Sequence, residues 1–496
     1  MAYRILAWFL RMVTRVFFRQ IEVVGLEHVP KTGPVLFAGN HPNSLIDPIL
    51  IITTCGRKVH FAAKDALFKG RIMRAVLRGL GAVPIKRRDD HDGTRESSSG
   101  KPQASPEVKR AQTAPVDNDA AFTAMFQVLG DGGAIGIFPE GLSHDESQLA
   151  RLKTGAARLA LGGAQRTQQP IQIVPCGLTF IHPKRFRSRV LVQFGPAVTV
   201  EPARPNTPDE VRELTSEIET ALRRLTINAP DWDTVRALDV VRRLYQPQEI
   251  SIEDRVELAR RFNAYYGAVA ADPRVVALMQ RVRAYQTKLD ELGLSDRELA
   301  RDLSKLEVSG RVLRHLVLVA FWLPLTTPGA ALHLPPLVFA RLAGPRLTPR
   351  KDVVATTKLM IGMLLVLLAY MGTIALLWWK LGFWWAVAAV IVLPLSGIAT
   401  LKVLDRLRLV RRGLGVLFRR LRFRREVRAL RGEREQLVDD VIATVNAVKP
   451  AELESLFPAD HPDRILESSR ERQDADLDAE LDKDAAEARA EGDADA

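Results

Sequence analysis

The chain has 496 residues, enough for one large domain and further segments. Its two cysteines exclude a disulfide-stapled scaffold, and without any C-x-x-C or H-E-x-x-H spacing no metal site is expected. A formal net charge of +13, kept despite an acidic C-terminal end, leaves anionic membranes or nucleic acid as electrostatic partners; long apolar runs near 312–340 and 359–400 favour the membrane.

Residues 1–19 read as an amphipathic, membrane-associated helix. Arg4, Arg11, Arg15 and Arg19 fall on one side at about 100° per residue, with Trp8, Phe9, Leu10, Met12, Val13, Val16 and Phe17 covering much of the rest. Arg11 and Arg15 interrupt the uncharged centre that a signal peptide needs. A helix lying among lipid headgroups fits this pattern, with a first core helix as the alternative.

From 20 to 230, short apolar runs alternate with turns, which predicts an α/β domain. Strands are expected at 21–25, 35–39, 59–63, 81–85, 134–138, 171–175 and 190–194, and helices at 67–80, 119–129, 154–162 and 208–225. Residues 88–118, crowded with Asp, Ser, Gly and Pro, read as a disordered insertion. Cys55 and Cys176 sit in apolar runs and read as buried, reduced thiols.

Residues 231–310 form a helical segment rich in Arg and Glu, followed by a membrane-inserted region over 311–401. Within it, 360–379 and 382–401 are each long enough to cross a bilayer core of about 30 Å, and the short Lys380-Leu381-Gly382 link makes them a hairpin. Arg346, Arg350, Lys351 and Lys358 precede the pair, and Lys402, Arg406, Arg408, Arg411 and Arg412 follow it, so both ends belong in the cytoplasm. Trp378, Trp379, Trp384 and Trp385 flank the link as an aromatic belt does, with core packing as the alternative. The run 315–340 carries four prolines and basic flanks, which suits a broken or re-entrant insertion; a buried helix pair is the alternative. Residues 402–466 form a basic helical segment whose Arg-rich start suits anionic lipid better than nucleic acid. Residues 467–496 read as a disordered acidic tail.

The chemistry is concentrated at strand ends. His41 follows the strand that closes at Gly39, and Asp47 lies six positions on. A carboxylate beside a histidine holds one ring nitrogen protonated and leaves the other free as a base. Taken alone, the pair reads as turn and capping residues. Gly81 to Arg87, Phe138-Pro139-Glu140-Gly141 and Val174-Pro175 supply further polar groups at strand ends, where α/β sheets place their sites.

These four runs, in this order, resemble the four successive sequence blocks of the glycerolipid acyltransferase family over about residues 20–200. Pro175-Cys176-Gly177, Arg185 to Arg189, Asn228-Ala229-Pro230, Arg242 to Tyr245 and Asp352 to Thr356 are similar to the fungal-type glycerol-3-phosphate/dihydroxyacetone-phosphate acyltransferases. That subgroup shares the five residues between His41 and Asp47, where most of the family has four. The resemblance implies an α/β domain with a mixed sheet flanked by helices, plus C-terminal membrane helices. It implies acyl transfer from a coenzyme A or acyl-carrier-protein thioester to glycerol 3-phosphate or dihydroxyacetone phosphate, with no bound cofactor. His41 would be the general base and Asp47 its orienter. Arg87 would meet the phosphate, Glu140 and Gly141 the glycerol phosphate, with Lys64, Lys153, Ser143 and His144 bordering the pocket. Membrane lipids, acceptor and thioester donor are the expected partners, nucleic acid is not, and a cell-membrane location with the catalytic domain in the cytoplasm follows. A 1-acylglycerol-3-phosphate acyltransferase and an inactive membrane scaffold are the competing functions. The third block usually continues Thr-Arg-Ser, whereas Leu142-Ser143-His144 follows here; Arg88, His144, Lys184 and Arg187 are candidates to replace the missing arginine.

Overall fold

The computed structural model describes residues 2–85, 118–245, 252–294, 296–300, 305–348 and 350–448. The expected acidic tail, and all of the expected insertion but Asn118, lie outside these residues. The chain divides into two units. The first comprises residues 1–145, 149–226 and 348–356; the second comprises 146–148, 227–347 and 357–496. The first unit thus takes in the N-terminal helix and recovers a short segment from far along the chain, which the sequence boundaries at 20 and 230 do not anticipate.

The first unit is built on a mixed eight-stranded sheet. In chain order its elements are α1 (Ala2–Phe17), β1 (Phe18–Val24), β2 (Val35–Gly39), α2 (Ile46–Thr54), β3 (Val59–Lys64), α3 (Arg71–Gly79), β4 (Val83–Ile85), α4 (Asp119–Gly130), β5 (Ala134–Ile137), α5 (Gly155–Thr167), β6 (Ile171–Phe180), β7 (Ser188–Phe194), β8 (Val198–Val200) and α6 (Pro208–Leu225). The sheet order is β1-β7-β6-β2-β5-β3-β4, with β8 also paired to β6. Strands β6, β2, β5, β3 and β4 run parallel, and β6 is antiparallel to β7 and β8. This is the α/β class expected, a mixed sheet flanked by helices.

Burial explains the local choices. Val35, Leu36, Phe37 and Ala38 are fully buried, the unbroken apolar run of a central parallel strand. Helix α5 turns Ala156, Ala157, Ala160 and Ala164 into a core shared with Leu36, Ile135 and Ile173. Pro208 opens α6, Thr207 caps it by accepting from the Glu210 amide, and Val211, Leu214, Ile218 and Leu222 recur at the 3.6-residue period on its buried face.

Helix α1 is shorter than expected. Phe18 and Arg19 already belong to β1, so Arg19 leaves the arginine face. Thr14 and Phe17 are buried, whereas Ile5, Trp8, Met12 and Val16 form an exposed apolar stripe. The expected helix at 67–80 resolves into a 3-10 turn at Asp65–Phe68 and α3, and β8 is a strand the sequence reading did not contain.

The second unit contains α7 (Trp232–Tyr245), α8 (Ile252–Val269), α9 (Pro273–Leu292), α10 (Asp296–Ala300), α11 (Lys305–Leu347), α12 (Val354–Leu381, from Thr357 onward), α13 (Phe383–Arg422) and α14 (Arg424–Val448). Leu244, Phe262, Val282, Tyr285, Leu289, Leu437 and Val441 share one core between α7, α8, α9 and α14. Inside it Asp296 accepts from Tyr285 Oη at 2.8 Å and Arg434 Nε at 2.9 Å, so the buried charges are paired.

Among the described residues, two helices are long and apolar enough to cross a membrane, Lys351–Leu381 and Phe383–Arg411. They extend beyond the runs at 360–379 and 382–401. Gly382 joins them at φ 94°, donating its amide to Leu377 and Trp378 carbonyls, a left-handed helix stop that favours glycine. The four tryptophans at this turn are all exposed. Helix α13 packs chiefly on α11, which bends by 111° between Val312–Pro324 and Gly329–Leu347. The proline-rich stretch is therefore helical and sharply kinked, as expected where the ring removes ladder donors.

Candidate active site

The site forms at the C-terminal edge of the parallel strands. Gly39 ends β2 beside Cys176 of β6, and the loop beyond is pinned by side chains. Asn40 exchanges two hydrogen bonds with Leu178, donating Nδ2 to its carbonyl at 3.1 Å and accepting from its amide at 2.7 Å. Asn43 donates to the Pro183 carbonyl at 3.0 Å. His41 is thereby fixed at the mouth of the sheet, only 9% exposed.

His41 Nδ1 donates to Asp47 Oδ2 at 2.8 Å, which leaves the lone pair on Nε2. Asp47 stands in the first turn of α2 and is fully buried. Its Oδ2 also accepts from the Asn43 amide at 2.7 Å, while its Oδ1 meets no partner among the described residues. Burial pushes the Asp47 carboxyl up to about 6, and the hydrogen bond and charge of His41 offset this only in part. Among the five residues that separate His41 from Asp47, Ser44 adopts a φ of 51°, in the left-handed region, and the turn brings the Asp47 carboxylate to hydrogen-bonding range of His41.

One face of the His41 ring lies flat on Phe138, with centroids 4.1 Å apart and planes 7° from parallel. Phe138 stacks in turn on Phe61 of β3. Gly39 permits this: a methyl there would come within 3.1 Å of the Phe138 ring. The stack excludes water from one side of the imidazole and fixes its tilt.

Glu140 follows Phe138 and Pro139 beyond β5 and is 2% exposed. Its Oε1 accepts from the His41 amide at 2.7 Å, and its Oε2 accepts from the Ala150 amide at 2.8 Å and from His144 Nε2. Both carboxylate oxygens are therefore engaged by the protein, and the His144 amide returns to the His41 carbonyl at 3.2 Å. This carboxylate ties the 140–144 turn to the His41 loop. Gly141 adopts φ 78°, and the Lys153 side chain lies against it so closely that a methyl would meet Lys153 Cδ at 2.6 Å.

Ser143 Oγ donates to Asp352 Oδ2, which also accepts from Arg350 Nη2 at 2.8 Å. Arg350 Nη2 additionally reaches the Ser143 carbonyl at 2.9 Å, and Thr356 Oγ1 donates to the Asn43 carbonyl at 3.5 Å. The segment 350–356 thus touches both loops of the site. From the sequence, Asp352 to Thr356 carry only a family likeness, Arg350 reads only as part of the basic flank of the apolar hairpin, and Asn43 and Phe138 have no role of their own. Arg87 lies outside the described residues. Lys64 closes β3, one strand beyond β5. A cleft of about 400 Å³ lined by Asp65, Phe68, Lys69, Arg74, Arg78, Ala82 and Pro84 forms a basic pocket that does not include His41. Cys55 and Cys176 are buried and free, and burial raises both thiols, Cys55 to about 11.

A histidine oriented by a buried carboxylate, amid paired backbone donors and flanking cations, is suited to activating a hydroxyl for attack on an acyl group. Two family models divide the chain in agreement with that chemistry. Residues 20–179 match the model described as Acyltransferase, and residues 237–453 match the Glycerol-3-phosphate acyltransferase 2 C-terminal domain. The chain thus carries an acyltransferase domain followed by a stretch similar to the C-terminal domain of glycerol-3-phosphate acyltransferase 2. It is 26% identical to Glycerol-3-phosphate O-acyltransferase 2 of Saccharomyces cerevisiae over 474 residues, covering 74% of this chain and 64% of that one. Glycerol-3-phosphate O-acyltransferase 1 of the same yeast is 27% identical over 448 residues, covering 73% and 59%. A 1-acyl-sn-glycerol-3-phosphate acyltransferase of Borreliella burgdorferi is 28% identical over 142 residues, 29% of this chain and 46% of that one. The chain therefore spans less than two thirds of the length of the curated relatives it matches.

Proposed function

We propose that the protein is a membrane-bound O-acyltransferase that moves a fatty acyl group from a coenzyme A or carrier-protein thioester to glycerol 3-phosphate or dihydroxyacetone phosphate. The observation that carries this reading is the His41–Asp47 pair, 2.8 Å apart, buried and held by both flanking strands. His41 Nε2 takes the acceptor hydroxyl proton as the oxygen attacks the thioester carbonyl, and the imidazolium then protonates the leaving thiolate. Asp47 holds the Nδ1–H tautomer and stabilises the imidazolium. Arg87, Lys64 and Lys153 supply positive charge for the acceptor phosphate, and Gly141, Ser143 and His144 shape the adjacent turn. Glu140 acts by placing the His41 amide and His144, since both its oxygens are already occupied.

The two apolar helices anchor the chain in the cell membrane, with their basic flanks and the catalytic unit on the cytoplasmic side. The basic end of α13 contacts anionic headgroups. The test is acyl transfer to radiolabelled glycerol 3-phosphate by membranes containing the wild type or His41→Ala. A loss of about 10³-fold or more is expected, and equal rates refute the assignment. The Borreliella match favours 1-acylglycerol 3-phosphate as the second acceptor, which the same assay resolves when both acceptors are offered with each thioester.

A further inference from the structure

Beside Ser143, two residues past Gly141, the basic residues that the sequence puts forward and the structure describes are committed elsewhere. His144 donates to Glu140. Lys184 pairs with Asp145 at 2.5 Å. Arg187, at φ 61°, turns its guanidinium to the Arg15 and Phe18 carbonyls at the α1–β1 junction. Arg88 lies outside the described residues.

A guanidinium nevertheless stands at this position. Arg350 Nη2 is 3.3 Å from Ser143 Oγ and 2.9 Å from the Ser143 carbonyl. Asp352 grips the same edge, accepting from Nε at 3.2 Å and Nη2 at 2.8 Å. Asp352 is 6% exposed and itself held by Ser143, so the grip has a fixed base. Nη1 donates to none of the described residues, and the Arg350 side chain is 60% exposed. With Nε and Nη2 held by Asp352 and Ser143, the guanidinium is fixed in orientation and presents Nη1 and its charge to an anion. Lys153 brings a second cation to the same turn, against Gly141. The short Ser143 side chain is what makes room: a long side chain there would occupy the space Arg350 fills.

We propose that Arg350, delivered from 207 residues beyond Ser143 and aimed by Asp352, is a phosphate-binding residue for the acyl acceptor. Resting on the acyltransfer to glycerol 3-phosphate proposed above, it assigns Asp352 and Ser143 as positioning residues for that guanidinium.

The experiment uses the full chain in membranes and compares wild type, Arg350→Ala, Arg350→Lys and Asp352→Asn. For Arg350→Ala the KM for glycerol 3-phosphate is expected to rise about 10- to 100-fold, with kcat and the KM for the thioester changed less than about threefold. Arg350→Lys recovers part of the loss, because the charge is kept while the orientation set by Asp352 and Ser143 is not. Added guanidinium chloride partly rescues Arg350→Ala, and Asp352→Asn raises the same KM by a smaller factor. Slow acylation of glycerol, which lacks the phosphate, is expected to be equal in wild type and Arg350→Ala. An unchanged glycerol 3-phosphate KM in Arg350→Ala overturns the inference. So does a loss shared equally by glycerol, glycerol 3-phosphate and donor, which marks a merely structural arginine. A wild type inactive on every phosphorylated acceptor refutes the acyltransferase reading itself, and this inference with it.

Discussion

Replacing Asp47 by Asn removes one charge while keeping volume. In the wild type one oxygen, Oδ2, accepts from both His41 Nδ1 at 2.8 Å and the Asn43 amide at 2.7 Å. An asparagine oxygen in that place keeps both hydrogen bonds and puts its NH₂ where Oδ1 meets no partner among the described residues. What is lost is the negative charge that stabilises the imidazolium formed when His41 takes the proton. The expected fall in kcat is about 10³- to 10⁴-fold, or roughly 4–5 kcal/mol at 1.36 kcal/mol per tenfold. Folding is expected to respond in the opposite sense. Because burial raises the Asp47 carboxyl to about 6, the folded chain holds that proton more tightly than the unfolded chain. Asp47 therefore stabilises the fold fully below about pH 4, and the contribution is lost as pH rises through about 6. The asparagine imitates the neutral acid and escapes this loss, which is on the order of 3 kcal/mol. Single-turnover acyl transfer in membranes, with thermal unfolding of the same preparations at pH 5 and 8, measures both effects. Wild-type activity should decline as pH falls below about 6, and the residual activity of the variant should lack that limb. A variant within tenfold of wild type, with the same acid limb, refutes the assignment of Asp47 as orienter.

Three further outcomes follow from the same geometry. Ser44→Gly is expected to keep activity and leave stability within about 1 kcal/mol of wild type, whereas Ser44→Val, forced to φ 51°, loses at least about 1–2 kcal/mol and misplaces Asp47; melting curves and kcat separate the two. Glu140→Ala strands the His41 and Ala150 amides and His144 without their acceptor, so unfolding should be easier by about 3–5 kcal/mol, and Glu140→Gln should recover part of this because an amide keeps one acceptor oxygen. Gly141→Ala forces a side chain into φ 78° and against Lys153; a raised glycerol 3-phosphate KM is expected, and an unaltered KM with unaltered melting contradicts the close contact.

The sequence was legible where physics acts locally. Val35 to Gly39 and Pro208 to Leu225 were bounded correctly because burial period, cap and proline all pointed the same way. Strand β8 was missed because three residues carry too little periodicity to register. Helix α1 was read too long because Phe18 and Arg19 fit a helical period, while pairing of β1 with β7 claims them for the sheet. His41 and Asp47 were legible as a motif, but not the raised carboxyl, which comes from burial that only the assembled sheet creates. Three of the five donors to Glu140 and Asp47 are backbone amides, which no side-chain pattern announces. Arg350 stayed hidden for a different reason. Its partner Ser143 lies far away in sequence, and with Arg346, Lys351 and Lys358 the arginine reads as the basic flank of an apolar helix.

The return of residues 348–356 to the first unit sets an order of events during synthesis. When Ser143 leaves the ribosome, the residues that will grip it remain roughly two hundred codons away. At about 5–20 residues per second that interval is on the order of 10–40 s. Throughout it the His41 loop and the 140–144 turn exist without Arg350, Asp352 and Thr356. The kinked apolar helix α11 is synthesised in the same interval, before the closing segment. A fragment ending at Thr226 keeps every strand of the sheet and both members of the His41–Asp47 pair, yet lacks the segment that contacts both loops. The 140–144 turn is thus completed last, and its completion is tied to the chain reaching the threshold of its long apolar helices.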